Sequence, residues 1–196
     1  SDFAQQPAAQ RAAILYAAAQ ASQQLRDTAG AHAFWRQLDA LVPASDAAAR
    51  RQSAWLGAEL ALAAGQPQQA LDLVERHPAP QLRPAVLLHA QAQLALQRPA
   101  LASERLQTWV TTHPQDAQAW QWLAQAWQAQ NQPLRALRAQ AEAQVAIRDF
   151  SAAQDRLKAA QDLARRGGNQ DHIEASIIDT RLRAVTELLR EEARKQ

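Results

Sequence analysis

Apolar residues recur along this chain at spacings of three and four, which places them on one face of an α-helix. Trp120, Leu123, Ala124 and Trp127 make one such stripe. Ile173, Ile177, Ile178, Leu182, Val185, Leu188 and Leu189 make another, opposed by Glu174, Arg181, Arg183, Glu187, Arg190 and Glu191. Breakers between the stripes predict ten helices, at about 8–26, 29–42, 46–64, 67–76, 82–96, 99–112, 115–130, 133–147, 151–166 and 171–193. Asp46 and Ser151 stand where N-caps belong, and Ser151–Gln154 and Asp171–Glu174 have capping-box spacing. Pro67, Pro99 and Pro133 fall in first turns, where the missing N–H costs nothing, and Gly167-Gly168 is expected to end the ninth helix. The last helix, packed on one side and solvated on the other, is expected to cap the chain.

Three turns share a form: Gly65-Gln66-Pro67, Gln97-Arg98-Pro99 and Asn131-Gln132-Pro133. An alanine follows each proline by three residues, and these alanines, Ala70, Ala102 and Ala136, are 32 and 34 residues apart. A period near 34 between helix-forming segments resembles the tetratricopeptide (TPR) array of helical hairpins. The segment from Trp120 to Trp127 matches that family's W-x₂-L-G-x₂-Y pattern, with Ala124 for glycine and Trp127 for tyrosine, followed by Ala136 and Ala143. The family's A-x₃-F element becomes Ala31–Trp35, Ala70–Val74 and Ala102–Leu106, and breaks at Ala136, where Gln140 takes the large apolar position. Pro43 and Pro114 close hairpins, while Pro78 comes early and predicts a short second helix. Ala153 follows Ala136 by only 17 residues, so the helix at 133–147 is expected to serve both as the second of one hairpin and the first of the next. The resemblance implies an all-α, TPR-like right-handed superhelix of about ten antiparallel helices, in about five hairpins. It is expected to form a single domain over 1–196, with irregular repeats at 8–43, 46–80, 82–114 and 115–147 and a capping hairpin at 151–193.

Composition agrees with helices: alanine and glutamine dominate, glycine numbers 5 and methionine 0. Charge excludes more than it proposes. The net +2 comes from 21 basic and 19 acidic residues, with arginines dispersed rather than gathered into a stripe, which argues against nucleic acid. The absence of cysteine excludes disulfides, thiolate zinc sites and cysteine nucleophiles. No run approaches the ~18 apolar residues of a membrane span. The start, Ser1-Asp2-Phe3, carries neither an initiator Met nor a signal peptide and reads as a cut end, with any targeting segment expected upstream.

Candidate chemistry is sparse. His172-Ile173-Glu174 superficially resembles a zinc-peptidase helix, but H-E-x-x-H needs a second histidine four residues on, where Ser176 stands. The segment reads as a helix start instead. His32, His77, His89 and His113 are isolated at non-ligand spacings, and no phosphate-binding glycine loop or nucleophile elbow occurs. Neither catalytic residues nor cofactor or metal ligands are expected on this chain. Trp120 and Trp127 read as packing residues, and Trp122, off their stripe, as packed before it reads as a partner contact. In TPR proteins the first helix of each hairpin lines the concave face, which makes its off-core positions the default partner-binding surface. Here these are Arg51, Trp55 and Glu59, then Gln91, then Gln118, Gln121, Gln125 and Gln128. Carboxylate-gripping TPR domains use Lys, Arg and Asn there, so a groove of glutamines argues against a chain-terminus clamp. Simple solvation of a helix face explains the same glutamines equally well.

Three C-terminal segments carry a narrower resemblance: the run starting at Arg135-Ala136-Leu137-Arg138, that starting at Asp149-Phe150-Ser151, and Asp171-His172-Ile173-Glu174 through Arg183. Together, over about 82–185, they resemble the TPR tail of bacterial periplasmic zinc metallopeptidases similar to the beta-barrel assembly-enhancing protease. The resemblance implies a periplasmic accessory domain whose partners are its own protease domain, outer-membrane proteins or their assembly machinery. Zinc and the H-E-x-x-H helix would lie in a catalytic domain that this sequence does not include. Residues 1–81 match only in repeat style, and a stand-alone TPR adaptor unrelated to any protease is the alternative.

Overall fold

The computed structural model describes residues 3–166 and 171–195, so the expected Gly167-Gly168 stop lies outside the described residues. After a short 3₁₀ turn, Phe3–Gln5, come α1 (Ala8–Gln24), α2 (Thr28–Leu41), α3 (Ala47–Ala63), α4 (Pro67–Arg76) and α5 (Arg83–Ala95). Then follow α6 (Pro99–Thr112), α7 (Ala117–Ala129), α8 (Pro133–Ala146), α9 (Phe150–Arg166) and α10 (His172–Ala193). The chain is all-α, with no strand among the described residues. Every predicted helix is present, with ends within two residues of expectation.

Two kinds of joint connect the helices. In the first, one residue adopts left-handed φ: Arg26 (60°), Gly65 (71°), Gln97 (59°), Asn131 (56°) and Arg148 (64°). In four of these the next N–H reaches back to a carbonyl in the last turn of the helix just ended: Asp27 to Ser22 (2.8 Å), Gln66 to Ala61 (2.8 Å), Gln132 to Trp127 (2.9 Å) and Asp149 to Gln144 (2.9 Å). That bond closes carbonyls a helix end would otherwise leave unpaired. The second kind runs through proline to an aspartate cap, with the Asp46 N–H on Pro43 O and the Asp116 N–H on His113 O, both 3.1 Å. Aspartates cap α2, α3, α7, α9 and α10 by accepting from the backbone N–H three residues on, at 2.9–3.1 Å. At α9 the cap is Asp149, and Ser151, expected in that role, lies inside the helix. Asp149 already stands at the end of a left-handed joint, which starts the helix one residue earlier.

The chain divides into two compact units, Ser1–Leu96 and Gln97–Gln196. In the first, α1–α2 and α3–α4 pair as hairpins, α2 packs on α3, and α5 packs on both α4 and α3. Trp55, Leu71, Leu73, Val74 and Leu88 fill one core with Ala58, Ala61, Ala70, Ala85 and Ala92. Leu15, Leu38, Val42, Leu56 and Leu60 fill a second. Alanine at the seams lets helix axes approach closely. Gly57 takes this furthest: a Cβ there would stand 2.4 Å from the Trp35 ring, whose Nε1–H donates to Ser53 O at 2.8 Å.

In the second unit α6 packs on α7, α7 on α8, α8 on α9, and α10 on α9 and α8. Helix α8 therefore packs on both of its neighbours, as the 17-residue spacing required, and the joint after it is of the first kind. Buried Phe150, Ala153, Leu157, Ala160, Ile178 and Val185 form the core there, joined by Leu182, Leu188 and Leu189. The expected faces of α10 need correction at its start. Ile173 is 77% exposed and Ile177 38%, whereas Glu174, assigned to the solvated face, is 3% exposed. Glu174 pairs with Arg138 of α8, and Arg181 bridges Glu142 of α8 with bonds of 2.6 and 2.7 Å. Those contacts turn the first part of α10 toward α8 by its charges.

Candidate functional site

Helix α7 buries Ala119, Leu123, Ala124, Ala126 and Trp127. The i, i+4 and i+7 spacing of Gln121, Gln125 and Gln128 puts all three on its exposed side. With Ala124, Ala129 and Gln140 of α8 they line a shallow, open depression of about 510 Å³. The depression has four amides above two alanines and no charged group in its lining. None of the four side-chain amides hydrogen-bonds to another described residue. Gln130 is the contrast: its Nε2 donates to Pro99 O (3.2 Å), Ser103 Oγ (2.9 Å) and Ala126 O (3.0 Å), tying α7 to α6. Gln140 was not among the residues the sequence proposed. Its signal was there, a polar side chain where the repeat pattern asks for a large apolar one.

Gln118 is exposed one turn before Gln121 and lies outside the depression. Arg51, Trp55, Glu59 and Gln91 lie in the first unit, on α3 and α5. Trp55 is a correction: it is 5% exposed and belongs to the core with Leu71, Leu88 and Ala92, so it presents no surface to a partner. Residues of α4 and α5 close over its ring. Trp55 Nε1 and Arg51 Nε are buried without hydrogen-bond acceptors among the described residues. Glu59 and Gln91 are half-buried. Burial pushes the Glu59 carboxyl above its ordinary range. Burial, and then the Glu59 charge, raise the Tyr16 hydroxyl in turn.

Among the tryptophans, Trp127 is buried beneath the Arg135 guanidinium, 5.1 Å from its ring centre. Trp120 is half-buried and donates from Nε1 to Pro114 O at 2.9 Å, and Trp122 is half-buried too. Trp109 donates to Asp116 Oδ2 at 3.0 Å while its ring stacks on His113 at 3.6 Å, which fixes the joint between α6 and α7. His172 is exposed at the start of α10, and the Glu174 carboxylate is committed to Arg138. Among the described residues no three His, Asp or Glu side chains are grouped to hold a metal ion. Nor, among the described residues, is any helix long and apolar enough to cross a membrane. Searches with this chain match no protein-family model and no curated protein.

Proposed function

We propose that this chain is a non-catalytic, TPR-type protein-interaction domain that holds a polypeptide partner on the α7–α8 surface. The observation carrying this reading is the depression itself: four uncommitted amides, three on consecutive turns of α7, over a floor of alanine. Primary amides suit protein ligands because each offers both donors and an acceptor. The likeness of residues 82–185 supports a narrower placement, as the C-terminal region of a periplasmic zinc metallopeptidase that acts in outer-membrane protein quality control. In that placement the partner is the protease domain, an outer-membrane client or its assembly machinery.

Capture of partners by the immobilised chain, compared with Gln121→Ala/Gln125→Ala and Gln121→Arg/Gln125→Arg variants, tests the surface. Both substitutions sit on an exposed helix face, so helicity and Tm should stay unchanged while capture falls. Undiminished capture removes this surface from the reading. The narrower placement has its own check in the coding sequence upstream of Ser1. An H-E-x-x-H helix there supports it, and a nearby start codon favours the adaptor.

A further inference from the structure

We infer that the α7–α8 depression recognises the main chain of an extended, uncharged polypeptide segment, pairing its peptide groups with the amides of Gln121, Gln125, Gln128 and Gln140. This rests on the reading of the depression as a protein-binding surface, and names what that surface grips.

A glutamine amide presents one carbonyl acceptor and two N–H donors, the same functions as the peptide group itself. In this lining it is the only polar function offered, and it is offered four times. The spacing suits a strand. Gln121 and Gln125 lie four residues apart, about 6 Å along the helix axis at ~1.5 Å per residue. Main-chain groups facing one side of an extended chain recur about every 6.6 Å. Gln128 continues the row, so α7 spans about three residues of such a strand, and Gln140 supplies an amide from α8. Ala124 and Ala129 between the amides carry no side chain long enough to hold a backbone away.

Charge supports an internal segment over a terminus. With no Lys, Arg, Asp or Glu in the lining, a carboxylate, phosphate or ammonium group entering it would lose hydration and gain no countercharge. The depression is open, which leaves the client's side chains in solvent. Binding of this kind reads conformation more than sequence. Each neutral bond contributes roughly two- to tenfold in affinity, so a single segment binds weakly.

The test uses the full chain and three hexapeptides: acetyl-(Thr-Ala)₃-amide, the same peptide N-methylated at alternate peptide bonds, and its free-carboxylate form. Titration is followed by the side-chain NH₂ resonances of the four glutamines. The blocked peptide should shift all four, and N-methylation should weaken binding about tenfold or more. The free carboxylate should bring no gain, and raising salt from about 50 to 500 mM should leave Kd within about twofold, because no ion pair forms. Gln125→Met and Gln128→Met, which keep shape and helix propensity, should each weaken binding two- to tenfold at unchanged Tm.

Absence of shifts at millimolar peptide, equal binding of the N-methylated peptide, or a requirement for the free carboxylate would each overturn the inference. If the peptides fail while the Gln121/Gln125 variants still lose partner capture, the surface stands and grips a folded partner instead. If capture is also unchanged, both readings fall.

Discussion

Gly65 and Gln97 both adopt left-handed φ two residues before a proline, at 71° and 59°. A Cβ on Gly65 would meet nothing within 4 Å, so Gly65→Ala isolates backbone strain and should cost about 1 kcal/mol. Gln97→Gly releases that strain and should gain up to about 1 kcal/mol. Thermal melts should show opposite shifts of roughly 2–4 °C. Glu59 gives a pH-dependent case. Its carboxyl binds a proton more tightly folded than unfolded, so its contribution to stability is full below the unfolded value and is lost as pH rises through the folded one. Glu59→Gln should therefore melt higher than the parent at pH 7, and the difference should close near pH 4. Equal melting at both values would contradict the burial of this group. The joints at Gly65, Gln97 and Asn131 were legible because proline follows each. Those at Arg26 and Arg148 were not, since an aspartate cap replaces the proline and two chemistries give one helix start.

Between helices, the C-terminal region depends on charges that cross from α8 to α10. Removing Arg138 as Arg138→Ala leaves the buried Glu174 carboxylate uncompensated, at a cost of about 3–5 kcal/mol. Arg138→Met with Glu174→Leu should recover most of it, because an apolar pair of similar volume needs no compensation. Urea denaturation measures both, and hydrogen exchange should show α10 losing protection first in the single variant. Periodicity found α10 and most of its stripe yet placed Ile173, Ile177 and Glu174 on the wrong sides. The reason is physical: the countercharge lies 36 residues away, where no local pattern reports it. Trp55 failed for a related reason, because its exposure was decided by α4 and α5 rather than by its own helix. The glutamines of α7 do share one exposed face, because a single helix sets that geometry.

For the chain as a whole, the reading predicts holding without turnover. Incubation with unfolded casein, with or without added zinc, should give no cleavage, and zinc should leave Tm unchanged. Proteolysis that tracks the purified chain would overturn the non-catalytic reading. Fold class was legible because the same proline-alanine turn between helix-forming segments occurs three times. The partner was not, since a neutral amide row constrains the kind of ligand and leaves its identity open. The left-handed joints have one more consequence. They recur at Arg26, Gly65, Gln97 and Asn131 and again at Arg148, half a period after Asn131, with φ between 56° and 71° each time. A gene fragment copied from one such junction to the next would splice in without bending the chain on either side. Growth or loss of this scaffold could thus proceed one rod at a time, in either parity.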